Sequence, residues 1–225
     1  MIAHPLQGWY LFCVGLAAGI AILALTSYAT LSPRWLKWIV LASGVFAASR
    51  YLAIAICALH PDASSSWILR RCWFGTSVGL TLPSVVALDQ LVRHPAMSPT
   101  KLLQRFAPFL AGYAAVLIFG SFDAQPDLLL GMHLHLVGWA AVFLAIIQSC
   151  FVLLFLGLSI LIIRKLPVRR IQLAIAGLML AHLYLGVDGV LESAHLWSVR
   201  PFLFSEILAL LAIWWALQTA RSSSL

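Results

Sequence analysis

Apolar residues fall into seven long runs separated by short polar breaks: Gly8–Leu31, Leu36–Leu59, Trp67–Val92, Leu102–Phe122, Met132–Ile163, Ile171–Ser193 and Pro201–Ala220. A helix needs roughly 20 apolar residues to cross about 30 Å of hydrocarbon, and each run supplies at least that length. The pattern predicts an all-α integral membrane protein, with seven transmembrane helices in a single domain over residues 1–225. The breaks carry turn and helix-start chemistry at Ser32-Pro33, His60-Pro61-Asp62, His94-Pro95 with Ser98-Pro99, Asp123 to Asp127, Leu166-Pro167 and Arg200-Pro201. The fifth run is the longest, so the expected helix tilts or projects from the bilayer. Pro83 and Pro108 fall inside the third and fourth runs, where they are expected to kink the helix.

Composition removes the soluble alternatives. The chain is 63% hydrophobic and 9% charged, against about 25% charged in a soluble domain, so it cannot build a hydrated shell and its main partner is the lipid bilayer. The formal charge of +7 does not point to nucleic acid. Lys and Arg sit in short loops rather than in one stripe with interleaved aromatics. Arg34, Lys37, Arg93, Lys101, Arg105, Arg164, Lys165, Arg169, Arg170 and Arg221 fall on one side of the seven-span plan, whereas Arg70, Arg71 and Arg200 fall on the other. Basic loops stay in the cytoplasm, which puts the N-terminus outside and the C-terminus inside. Helical rather than alternating-strand spans indicate a cytoplasmic (inner) membrane instead of an outer one.

One repeat signal is present. Gly44, Ala48, Tyr51 and Leu52 of span two match Gly177, Ala181, Tyr184 and Leu185 of span six at a constant offset. The match suggests a 3+1+3 organisation, two three-helix units joined by an inverting fourth helix, as in sugar-transporting proteins built on that plan.

Ionisable groups within spans cost several kcal/mol and mark interior faces or cavities. Span six carries Tyr184, Asp188, Glu192 and His195 at helical spacing, within a stripe about 80° wide, and Gly177 and Ala181 continue it inward. Arg50 lies in the outer half of span two, Arg70 and Arg71 open span three, and Glu206 lies about two turns into span seven. Arg50, Arg70, Arg71, Tyr184, Asp188, Glu192, His195 and Glu206 are therefore the candidate ligand-binding set of an outward-facing intramembrane cavity. Arginines suit an anionic group and carboxylates suit a cation or proton. The competing expectation is that these charges are structural pairs, Arg50 with Asp188 or Glu206.

The stretch Met132-His133-Leu134-His135-Leu136-Val137-Gly138-Trp139 resembles the His-x-His-x-x-Gly-Trp helix starts of proteins related to the haem-copper oxidase catalytic subunit. The resemblance implies haem or metal ligation, with His133, His135 and His182 as the candidate ligands. On a helix the first two point about 200° apart and cannot share one metal. Retinal is not expected, because Lys37, Lys101 and Lys165 sit at span ends, away from a mid-span Schiff-base position. Hydrolase, zincin, nucleotide and dinucleotide signatures are absent from the sequence. The functional expectation is a small membrane protein that binds a polar or ionic ligand in transport or sensing. Its rivals are a membrane-embedded metal- or haem-dependent enzyme or redox subunit, and a structural subunit whose partner, a membrane or cytoplasmic protein, carries the function.

Overall fold

The structure, a computed structural model, describes residues 5–59, 69, 71–92, 98–127, 131–193 and 203–222. Among these residues the chain forms seven long helices: α1 (Pro5–Tyr28), α2 (Arg34–Leu59), α3 (Gly75–Val92), α4 (Pro99–Phe119), α5 (Trp139–Ile163), α6 (Arg169–Ser193) and α7 (Phe204–Ser222). A β-hairpin of β1 (Ser121–Asp127) and β2 (Gly131–Val137) lies between α4 and α5. Four helices, α1, α2, α5 and α6, are long and apolar enough to cross a membrane, and the chain is an all-α membrane protein in its main architecture.

Consecutive helices pack side by side, and α7 closes the ring by packing on α1 and α6. The centre is held by α3, which touches α2, α4, α5, α6 and α7. That position explains its composition. Buried against protein, α3 tolerates Thr81 and Ser84, whose hydroxyls donate to the carbonyls of Ser77 (2.6 Å) and Leu80 (2.7 Å) one turn back. The peripheral helices instead present large apolar side chains outward, among them Phe12, Ile22, Trp38, Leu52, Leu153 and Val190. Such a surface is stable only under hydrocarbon.

Ser98-Pro99 starts α4 as its sequence indicates: the Ser98 hydroxyl accepts from the Lys101 amide, and proline occupies the first turn. Pro83 and Pro108 both lie inside helices. The cysteines Cys13, Cys57, Cys72 and Cys150 are free thiols.

The hairpin corrects the expected fifth span. The continuous helix from Met132 does not form. Residues 131–137 pair antiparallel with 121–127, in the register Ser121↔Val137 to Asp127↔Gly131, and the helix begins only at Trp139. The expected fourth span also ends early, at Phe119 rather than Phe122, and Asp123 to Asp127 are strand rather than turn. The physical reason is visible in His133-Leu134-His135-Leu136, a period of two that suits a ribbon. Leu134 is buried in the core, and β2 packs on α2 and α5 while Phe122 meets the Phe74 ring at 5.4 Å. Gly138, at φ 64°, makes the turn from β2 into α5 in a conformation that side chains disfavour. The bundle therefore has a hairpin end and, opposite it, a basic end where α1 meets α2 and α5 meets α6.

Candidate functional site

Three ionisable groups are buried together near the hairpin end. Arg50 projects from α2, Asp188 from α6 and Glu206 from the first turn of α7, at 7%, 5% and 4% exposure. Glu206 lies closer to its helix start than expected, because α7 begins at Phe204 rather than Pro201. The shorter helix puts its carboxylate in the first turn of α7. Leu203, buried and at φ 57°, turns the chain into that helix. A non-glycine residue there costs about 1–3 kcal/mol.

Each nitrogen of the Arg50 guanidinium meets a protein acceptor. Its Nη2 lies 2.8 Å from Glu206 Oε1 and its Nε donates to Oε2 at 3.2 Å, a bidentate fork. Its Nη1 donates to the Trp73 carbonyl, and the guanidinium lies 5.9 Å from the centre of the Trp73 ring. Asp188 has a thinner shell, accepting one hydrogen bond at 2.5 Å from Ser205 Oγ, next to Glu206 in sequence. Among the described residues the guanidinium pairs with Glu206, and Asp188 joins the cluster through Ser205. The Tyr51 hydroxyl also faces Glu206, short of hydrogen-bonding geometry.

The remaining candidates fall elsewhere. Tyr184, at 37% exposure, lines an open apolar groove between α6 and α7 with Gly177, Ala181, Leu208 and Trp215, so the expected interior stripe of α6 turns partly toward lipid. Arg71 is exposed at the approach to α3. Arg70 and His195 lie outside the described residues, and Glu192 is placed only by its backbone, near the end of α6. The cluster is closed rather than an open cavity in this structure.

His133 and His135 occupy β2 opposite Gln125 and Asp123, which overturns their expected position on a helix. His182 lies mid-way along α6, at 2% exposure, edge-on to Phe155 (4.8 Å between centroids) and Phe151 (5.6 Å). Phe151 is twelve residues into α5, about 18 Å below the hairpin, so His182 and His135 are at different depths. No group of three or more His, Cys, Asp or Glu side chains that could hold a metal ion occurs among the described residues.

Among the described residues both His182 ring nitrogens lack a hydrogen-bond partner, as does Ser159 Oγ, one turn from Phe155 on α5. A buried polar group left unpaired costs about 1–3 kcal/mol. His182→Phe is therefore expected to raise thermal stability in detergent, by the equivalent of about 1–3 kcal/mol, with the spectrum of the purified protein unchanged. A marked drop in stability, or an absorbance band lost with the substitution, would show that the imidazole is engaged.

The chain matches no protein-family model, no curated protein and no solved structure.

Proposed function

We propose that this chain is a seven-span protein of the cytoplasmic membrane, N-terminus outside, that takes up a proton or small cation at Asp188 and Glu206 in transport or sensing. The observation that carries the reading is the charge balance of the buried cluster among the described residues, two carboxylates to one guanidinium, with Arg50 committed to Glu206. Asp188, held among the described residues by a single hydroxyl, is the group we assign to the proton or cation, because an uncompensated carboxylate in a low-dielectric interior is strongly unfavourable. We assign Arg50 the part of a fixed counterion rather than a binder of anions, since each of its nitrogens already meets a protein acceptor. The orientation rests on ten basic residues at one set of loops against three at the other.

Infrared difference spectra of the purified protein test this reading through acid and Na⁺ steps. A protonated-carboxyl band is expected to rise on acidification, to fall when Na⁺ is added at fixed pH, and to vanish in Asp188→Asn. Superimposable spectra from wild type and Asp188→Asn would overturn it.

A second reading, a structural subunit whose charges are internal staples, is favoured by the saturation of Arg50. It expects Asp188→Asn to lower stability and to leave the infrared response intact.

A further inference from the structure

Below the ion cluster, buried hydroxyls continue toward the basic end along the seam of α1, α2 and α7. Tyr51, on α2 beside Arg50, faces Glu206. Helix side chains lean toward their own N-terminus, which on α2 aims Tyr51 at Gly44, two turns earlier on the same face. Gly44 is where the Tyr28 ring packs: a Cβ built on Gly44 would lie 2.7 Å from Tyr28 Cε2. Tyr28 ends α1, and its neighbour Ser27 accepts from Gln218 Nε2 of α7 at 3.0 Å.

Along α7 the interval from Glu206 to Gln218 is twelve residues, about 18 Å, more than half of a hydrocarbon core of about 30 Å. Tyr28 and Tyr51 are each almost wholly buried, and neither hydroxyl has a partner at hydrogen-bond geometry among the described residues. Nothing in packing alone requires a hydroxyl at either place, and phenylalanine would fill the same volume without desolvating a polar atom. Each hydroxyl retains a donor and acceptor positions that internal water can use.

We propose that Glu206, Tyr51, Tyr28 and the Ser27–Gln218 pair form a proton file joining the ion cluster to the basic end of the bundle. The inference rests on the site reading above and names the proton as the ion. A proton on the Glu206 carboxyl passes through bridging water to the Tyr51 oxygen as the Tyr51 O–H proton leaves for the next oxygen, and the same exchange repeats at Tyr28. Each hydroxyl ends with one proton, Glu206 returns to the carboxylate held by Arg50, and no atom is oxidised or reduced. Gly44 makes the file possible by giving the Tyr28 ring the space of a side chain.

The test is proton flux into liposomes carrying the purified full chain and a lumenal pH dye, driven by a potassium–valinomycin potential. Wild type is expected to acidify the lumen. Tyr51→Phe and Tyr28→Phe are expected to slow it at least tenfold with unchanged melting temperature, and Tyr113→Phe, a buried tyrosine of α4 off the file, is expected to leave it unaltered. Flux at the wild-type rate in both file variants, or no flux in wild type, would overturn the file while leaving the infrared response of Asp188 to decide the site. Flux blocked by the tyrosine variants and by Glu206→Gln but untouched by Asp188→Asn would sustain the file and overturn Asp188 as the site, whereas flux untouched by Glu206→Gln would overturn the file.

Discussion

Arg50→Met is expected to destabilise the protein by about 3–5 kcal/mol, the usual consequence of removing one partner from a buried ion pair. Methionine keeps most of the side-chain volume, so a cavity contributes little. The loss is electrostatic: Glu206 Oε1 and Oε2 lose the fork at 2.8 and 3.2 Å, and the Trp73 carbonyl loses its donor. The cluster is left with two carboxylates and no cation. Glu206→Met alone is expected to be similarly damaging, because a buried guanidinium cannot shed its charge. The double variant Arg50→Met/Glu206→Met removes both charges together and is expected to recover most of the loss, since an apolar pair of similar volume is often as stable as the ion pair it replaces. Reversible unfolding in mixed micelles measures all three. A coupling energy below about 1 kcal/mol, the range of solvent-exposed pairs, would refute the burial and bidentate geometry on which the site depends.

The two acids have distinct roles for the same physical reason. Glu206 has a guanidinium in a bidentate geometry. Asp188 has, among the described residues, one hydroxyl. The pair Arg50–Glu206 joins α2 to α7, and Asp188 joins α6 to α7 through Ser205.

Much of this arrangement was legible in the residues. Runs of about twenty apolar positions have few other solutions than a membrane helix, and α1, α2 and α6 begin and end within about four residues of their runs, the usual uncertainty at helix ends. Arg50, Asp188 and Glu206 stood out because a charge in an apolar helix needs a reason, and the structure places them together. The hairpin was hidden because its leucines join the apolar run of α5, so length outweighed the two-residue alternation of His133 to Leu136. Tyr184 shows the limit of helical phase. An 80° stripe is wide enough for one edge to face lipid while the other, at Asp188, is buried. The Trp73 carbonyl has no sequence signature at all, since every residue carries one. Ser205, Tyr51 and Tyr28 were missed for a different reason: alone, a serine or tyrosine in a span reads as ordinary packing, and only their positions beside Asp188, Glu206 and Gly44 give them a role.

Gly79→Ala is expected to cost about 1–3 kcal/mol, the usual penalty for overpacking a filled interior, and Gly75→Ala a comparable amount, although each adds a single methyl group. The two glycines lie four apart on α3, the small-x-x-x-small spacing that lets membrane helices touch backbone to backbone. A Cβ on Gly75 would overlap the Phe46 carbonyl oxygen of α2, and one on Gly79 would overlap the Ala47 side chain and come within 2.7 Å of the Ser43 carbonyl oxygen. These obstacles are mostly main chain, which cannot rotate away as a side chain can. The helices must separate instead, and the α2–α3 contact also positions Arg50 beneath Trp73. Gly79→Ala is thus expected to weaken the Arg50–Glu206 pair as well as the packing, so its cost and that of Arg50→Met should be less than additive. Gly15→Ala on α1 is the control: a Cβ there meets nothing within 4 Å, and alanine is the better helix former, so stability should be unchanged or slightly higher. Equal unfolding free energies for Gly79→Ala and Gly15→Ala would show that α2 and α3 are not in backbone contact, and the position of Arg50 would then lose its support.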